Sequence, residues 1–301
     1  MSKISVVVSA YNEGKNIKEC LDSAKNLADE IVVVDNSSSD KTAEIAKKLG
    51  AKVFTQENDP GNIDLQKNFG ISRATGDWIL SLDADERITP ELAEEIKHSI
   101  QYGVSSIQGY EMPRKNIIFG KWIKHTGWYP DYQLRLFRKG KGRFVSSKVH
   151  EPIVVEGKIE KLSSPIYHEN YQSINQFLSR TIVYTDSEAK ALIKSGYQIK
   201  PIDALQMPMQ EFLRRFFTQE GYRDGLHGLI LSLLMAFYHL IIFVKLWETN
   251  RFRESDENIL DMVEGQMRDI RKEFVHWFAD AKKKETKNPI RKIMLRISRR
   301  I

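Results

Sequence analysis

Four short runs in the first hundred residues, at 4–9, 31–35, 51–55 and 78–82, are almost continuously apolar and rich in Val, Ile and aromatic side chains. A strand that alternates apolar and polar residues buries one face. A run without alternation buries both, as strands inside a parallel sheet do. Helical patterns lie between the runs. Ile17, Leu21, Ala24 and Ala28 recur at helix spacing, residues 42–49 follow Asp40 as an N-cap, and residues 65–74 precede the fourth run. Pro90 then opens a helix with Leu92, Ile96 and Ile100 on one face. This βαβα order predicts an α/β fold: a doubly wound, mostly parallel, Rossmann-like sheet. In such sheets ligands bind beyond the carboxyl ends of the strands.

After residue 103 the pattern becomes irregular and aromatic to about 170, with short strands expected. It returns to helix over 173–194, is broken at Pro201 and Pro208, and reads as a basic, aromatic helix over 211–220. The expected organisation is a catalytic domain over 1–200, divided into a nucleotide-binding half at 1–102 and an acceptor half at 103–200. A helical extension over 201–301 follows, with an apolar helix at 225–247 and a basic amphipathic tail at 282–301.

The strand ends carry the polar chemistry. Asp83-Ala84-Asp85 directly follows the fourth run. Such a triplet arises by chance about once in a chain with this much aspartate, so its position is what matters. Two carboxylates at the end of a buried strand repel each other unless a cation or donor relieves them. A hard divalent ion, Mg²⁺ or Mn²⁺, held by one or two carboxylates and by substrate phosphates would do so. The first strand ends in Ser9-Ala-Tyr-Asn-Glu-Gly14 and the second in Asp35-Asn-Ser-Ser-Ser-Asp40. Neither is a Gly-x-Gly-x-x-Gly turn, and no Gly-Lys-Ser/Thr loop occurs, which removes the main support for a dehydrogenase or a P-loop kinase.

Four segments, Ser5-Val-Val-Val-Ser-Ala-Tyr-Asn-Glu-Gly14, Ile31-Val-Val-Val-Asp35, Gln66-Lys-Asn-Phe-Gly70 and Gly76-Asp-Trp-Ile-Leu-Ser-Leu-Asp-Ala-Asp85, resemble the family 2 inverting glycosyltransferases of the GT-A fold, in the same order. Trp128-Tyr-Pro-Asp-Tyr-Gln-Leu-Arg-Leu-Phe-Arg138 and Val149-His-Glu151 are similar to the branch that contains lipopolysaccharide-core β-1,4-glucosyltransferases. The resemblance implies that Ala10, Tyr11 and Glu13 line a nucleotide pocket and that Asp35 contacts the base, most often uracil. It places Lys67 and Arg73 near the base and phosphates, and the sequence leaves open which is used. Asp83 would sit by the ribose and diphosphate, and Asp85 would bind the metal, with Asp83 and His168 as further candidate ligands. Arg135 is a candidate for the diphosphate.

An inverting transfer needs a carboxylate base within reach of the acceptor hydroxyl. Glu151 is the expected base and Asp131 the alternative. His150 and Trp128 are candidates for supporting the acceptor. The expected activity is transfer of a sugar from a nucleotide-diphospho-sugar to a saccharide or glycolipid of the cell envelope. A polyprenyl-phosphate glycosyltransferase would need no base, so Glu151→Gln would leave it active. A non-catalytic nucleotide-sugar-binding scaffold would release no nucleoside diphosphate, and a nucleotidyltransferase would release pyrophosphate instead.

Charge separates the two ends of the chain. The formal net charge is +6, but residues 282–301 hold nine Lys/Arg and one Glu, or +8, which leaves −2 elsewhere. Ile290, Ile293, Met294, Ile297 and Ile301 fall on one helical face of this tail, a pattern suited to an anionic membrane surface. The tail lacks interleaved aromatics, so nucleic acid is not an expected partner. Residues 225–244 contain no Asp, Glu, Lys or Arg. A single span there would place the basic tail opposite a cytosolic catalytic domain, against the positive-inside tendency. The small-residue stripe Gly221, Gly225, Gly228, Ser232 and Ala236 fits close packing in a membrane or in a homo-oligomer through 221–247. Cys20, the one cysteine, can form no intrachain disulfide. The first apolar run is too short for a signal peptide, so a cytoplasmic protein on the cytosolic face of the membrane is expected.

Overall fold

The computed structural model describes residues 2–59, 62–145 and 153–298. The chain forms two compact units, Met1–Trp122 with Tyr129–Gln172, and Ile123–Trp128 with Ser173–Ile301. The helix that the sequence groups with the first 200 residues therefore belongs to the second unit, as does a six-residue segment drawn from between two strands.

In the first unit, β1 (Ile4–Ala10), β2 (Glu30–Asp35), β3 (Lys52–Thr55) and β4 (Trp78–Asp83) are the four apolar runs. They lie parallel in the order β3-β2-β1-β4. Helices α1 (Ile17–Ala24), α2 (Thr42–Lys48), α3 (Ile63–Arg73) and α4 (Pro90–Tyr102) accompany them. The apolar faces explain the packing: Ile17, Cys20, Leu21 and Ala24 of α1 are buried in the same core as Val6, Val8 and Leu80. Cys20 is a core residue whose Sγ donates to the Asp83 carbonyl at 3.6 Å. Pro90 and the N-cap Thr89, whose hydroxyl accepts from Leu92 N at 3.2 Å, start α4. Gly70 lets α3 lie close on the sheet, since a Cβ there would come within 2.8 Å of both Val7 and Val34 methyls.

The remaining strands are β5 (Glu86–Ile88), β6 (Ile107–Ile118), β7 (Lys121–Trp122), β8 (Asp131–Arg138), β9 (Gly142–Arg143), β10 (Val154–Val155), β11 (Lys158–Lys161) and β12 (Ile166–Tyr171). Short strands were the expectation here, yet β6 runs for twelve residues. From β4 the order continues β8-β6-β12-β5, with β7 and β11 also on β6, while β9 and β10 pair separately. The pairings of this half are mixed in direction.

One link shapes this half. β5 follows β4 after only Ala84 and Asp85, yet along the sheet it lies four strands away. Four flat strand spacings would cover about 19 Å. Three residue steps from Asp83 to Glu86 reach about 11 Å at most. The sheet must therefore curl until β5 returns beside the end of β4, and the side chains facing inward there are gathered into a small space.

The second unit is helical: α5 (Ile174–Lys194), α6 (Asp203–Leu213), α7 (Leu226–Thr249), α8 (Ile259–Glu285) and α9 (Pro289–Ser298). Ser173 caps α5 by accepting from Gln176 N at 3.2 Å. Pro208, expected to break the chain, sits inside α6, and a widened π turn over Arg214–Thr218 follows. Packing of α6 on α7 overrides the lost backbone bond. Buried Asp224 ends the linking turn. Its carboxylate accepts from the backbone N–H of His125 at 2.8 Å and from Thr126 Oγ1 at 3.3 Å, which ties Ile123–Trp128 into this unit. The small-residue stripe is used here too: a Cβ on Gly228 would fall 1.8 Å from the Gly221 carbonyl oxygen, and buried Ser232 donates to Gly228 O. Close packing occurs, but within the unit.

Candidate active site

The carboxyl ends of the parallel strands meet in register. Ala10 pairs with Asp35 and Ser9 with Asp83, which sets the two aspartates on either side of β1. The loops after β1 and β2 are stitched together. Asn12 accepts from Ser39 N at 2.8 Å, Glu13 N donates to Thr42 Oγ1 at 2.8 Å, and Gly14 N donates to Asp40 at 2.9 Å. Asp40, read as an N-cap, also accepts from Thr42 N at 2.9 Å. Tyr11 stands out from this frame, 47% exposed. Asp35 is buried; one carboxylate oxygen accepts weakly from Ser38 N at 3.3 Å, and the other, Oδ1, is buried without a hydrogen-bond partner. Such an orphaned acceptor is costly unless a ligand donor meets it.

Asp83 is gripped from two sides. Lys67 Nζ, buried on α3, lies 2.7 Å from Oδ1, and Arg135 on β8 lies 2.6 Å from Oδ2. Arg135 also reaches Glu86 at 2.8 Å, and the Asp83 backbone N–H donates to Glu86 at 3.0 Å. Glu86 has no exposed surface at all. Burial pushes the Asp83 carboxyl up, but Arg135 and Lys67 outweigh it and hold it well below the ordinary carboxylate range. Burial opposes the charge on Lys67 too, and Asp83 more than restores it. Of the two basic candidates, Arg73 lies over the Phe54 and Phe69 rings at 5.3 and 4.8 Å, while Lys67 faces the strand end.

Asp85 is placed differently. It sits in the link between β4 and β5, and its backbone carbonyl accepts from Glu169 N at 2.9 Å. His168 Nε2 lies 3.6 Å from Asp85 Oδ2, and the other ring nitrogen, Nδ1, is 2.7 Å from Asn116 Oδ1. Asn116 beside Nδ1 orients the ring, and Nε2 is the nitrogen turned toward Asp85. Among the described residues no three carboxylate, imidazole or thiol groups are gathered to hold a metal by themselves. Of the expected ligands, Asp85 and His168 come together, whereas both oxygens of Asp83 face cations. Two protein ligands with phosphate oxygens completing the shell suit Mg²⁺ or Mn²⁺.

Asp131, the alternative base, accepts from Arg114 at 2.6 Å, from Gln133 at 2.8 Å and from Asn116 at 3.3 Å. Burial raises its carboxyl, but Arg114 and these donors lower it more, which makes it a weaker proton acceptor. Glu151 and His150 lie outside the described residues. The chain leading to them is anchored: Asn68 donates to Phe144 O at 2.9 Å and accepts from Phe144 N at 3.0 Å. Trp128 belongs to the helical unit, where Arg215 stacks over its ring at 5.6 Å. Sequence reasoning passed over Glu86, Arg114, Asn68 and Asn116. The signal for the first two was present, since three carboxylates within Asp83–Glu86 demand nearby cations.

Residues 5–153 match the domain described as Glycosyl transferase family 2. An uncharacterised glycosyltransferase of Rickettsia typhi is 31% identical over 268 residues, 82% of this chain and 88% of that protein. The lipopolysaccharide core biosynthesis glycosyltransferase LpsC of Rhizobium meliloti is 27% identical over 256 residues, covering 83% of this chain and 94% of its own length. Among solved structures, S. aureus TarS 1-349 in complex with UDP-GlcNAc is similar with a TM-score of 0.43 at 16% identity, over 81% of this chain and 92% of that one.

Proposed function

The chain belongs to glycosyl transferase family 2, and from that premise we propose a metal-dependent, inverting transfer of a sugar from a UDP-sugar to a saccharide or glycolipid acceptor. The relative named for lipopolysaccharide core biosynthesis supports an envelope acceptor, met at the cytosolic membrane face. The observation that carries the reading is the division between two neighbouring aspartates: Asp83 is neutralised by Lys67 and Arg135, while Asp85 faces His168 at 3.6 Å.

The residues then take separate tasks. The orphaned Asp35 Oδ1 accepts from an N–H of the base, and Ala10, Tyr11 and Glu13 line the nucleotide pocket. Lys67 and Arg135, already beside Asp83, set a positive field for the diphosphate. Asp85 and His168 would hold Mg²⁺ or Mn²⁺; bound there, such an ion neutralises charge on the departing nucleoside diphosphate. In a single displacement the acceptor oxygen bonds to the anomeric carbon as its bond to phosphate breaks, and Glu151 takes the acceptor proton. Asp131 is held as a carboxylate by Arg114 and is the poorer base.

The test is a panel of nucleotide-sugars offered with each metal and a saccharide or glycolipid acceptor. The reading expects UDP with metal to raise the melting temperature and a UDP-sugar to be turned over. It is abandoned if no nucleotide-sugar shifts melting with either metal. Full activity in Glu151→Gln would move the reaction to a phosphate acceptor, which needs no base.

A further inference from the structure

Among the described residues one helix, α7, is long and apolar enough to cross a membrane. Its two faces have different fates. Leu231, Ser232, Tyr238, Ile242 and Leu246 are buried inside the helical unit, the last three packed with Ala189 of α5 and its neighbours. Leu226, Ile230, Leu233, Phe237, Val244 and Trp247 are exposed. Their spacings of three, four and seven put them on one stripe, about 32 Å long at 1.5 Å per residue. The half-buried flanks, Leu229, Leu234 and Ile241, widen it into a broad apolar face.

We propose that this face of α7 lies flat in the interface of an anionic bilayer, with the basic tail as its electrostatic partner. A span is opposed by what the other face carries. Tyr238 donates to Glu188 at 2.7 Å, Lys245 pairs with Asp186 at 2.6 Å, and His239 lies 3.8 Å from Glu211. Driving α7 through a bilayer would strip off these partners or drag their charges into hydrocarbon. A second copy of the chain is the rival occupant, since the spacing resembles a coiled-coil seam. Such seams are flanked by charges that set partner and register; here the flanks are apolar from Leu229 to Ile241, and exposed Glu248 stands at the end of the stripe. Charge decides for lipid. In α9, Ile290 and Met294 are exposed four residues apart beside exposed Arg291 and Lys292, and residues 282–301 total +8. An anionic surface is attracted by that charge and receives the apolar stripe as well; another copy of the same basic chain is repelled. This inference stands apart from the transferase reading, because it needs neither donor nor metal.

The experiment is flotation of the full chain with vesicles of phosphatidylcholine alone or with about one-third phosphatidylglycerol. The expected result is binding to the anionic vesicles, weakened severalfold at about 0.5 M salt, and extracted by alkaline carbonate. Leu233→Glu with Phe237→Glu, both on the exposed stripe, should reduce it about tenfold or more. Quenching of tryptophan emission by brominated lipid should fall in Trp247→Phe, which leaves the fold intact and reads depth directly. The proposal is overturned by no binding, by binding that ignores the double variant, by resistance to carbonate, or by a stable dimer in sedimentation that the double variant dissociates.

Discussion

The two units break the inside-out rule of globular proteins in opposite directions. In the sheet unit, Glu86, Lys67 and Arg135 are charged and buried together. In the helical unit, Leu226, Leu233 and Phe237 are apolar and stand in the open. Charge is tolerated inside only when paired, and pairing is what the curled half-sheet provides. Apolar surface of this extent is tolerated outside where another phase or partner covers it. On the readings proposed above, the first exception suits an anionic phosphate and the second suits hydrocarbon.

The contrast is breakable by substitution. Asp85→Ala is the largest expected effect: metal-dependent turnover of the donor should drop about a thousandfold, or about 4 kcal/mol in the barrier. Circular dichroism should show the fold kept, and retained turnover would move the metal away from this strand end. Arg135→Ala leaves Asp83 and Glu86 without the cation between them, and urea unfolding should show a loss of about 3–5 kcal/mol. Adding Glu86→Gln to it should recover part of that loss. A cost below about 1 kcal/mol would mean that water reaches the network. Ile242→Ala, on the inner face of α7, should cost about 2–5 kcal/mol by the same measurement.

Acid should act mainly on the sheet unit. Burial pushes Glu30 up, but Lys52, Ser5 and Thr75 bring its carboxyl down from 4.5 to about 2, and Asp83 is depressed as well. A depressed carboxylate stabilises the fold above its unfolded value, and that contribution fades as the pH falls through the folded one. Glu30→Gln should therefore flatten the acid limb of a melting profile between pH 4.5 and about 2, by no more than about 1 kcal/mol after screening. The smallest effect belongs to the outer stripe: Phe237→Ser should change stability by less than about 0.5 kcal/mol. A loss as large as that of Ile242→Ala would show that the stripe is covered within the chain.

What could be read in the sequence follows the same division. Strands β1, β2 and β4 were legible because both faces of each are apolar, and the strand-end aspartates followed from them; β3, at the sheet edge, leaves Lys52 and Thr55 exposed. Strand β6 was not legible, because polar residues interrupt its buried apolar ones, Ile107, Tyr110, Met112, Ile117 and Ile118. Arg114 and Asn116 serve the network of Asp131 and His168, and Pro113 interrupts the run. The three-residue strand β5 has too few side chains for any period, and its pairing with β12 joins residues some eighty positions apart. The different surroundings of Lys67 and Arg73, both on α3, were only partly legible: Phe69 precedes Arg73 by one turn, but Phe54 and Asp83 come from strands β3 and β4. The apolar helix α7 was evident, but not which half of it is covered; of the small residues in its stripe, Gly228 packs on the turn at Gly221.

The two-residue link between β4 and β5 has a consequence for how such chains can vary. Side chains of a strand alternate faces, so one residue inserted between Asp83 and Glu86 would carry Glu86 to the far side of β5, away from Arg135. One residue deleted would do the same. The link is already a tight turn in which the Asp83 backbone N–H donates to Glu86 at 3.0 Å, and both of its ends are fixed in one sheet. Length here is as constrained as chemistry: related chains that keep this site should align through Asp83–Glu86 without a gap, even where the residues themselves differ.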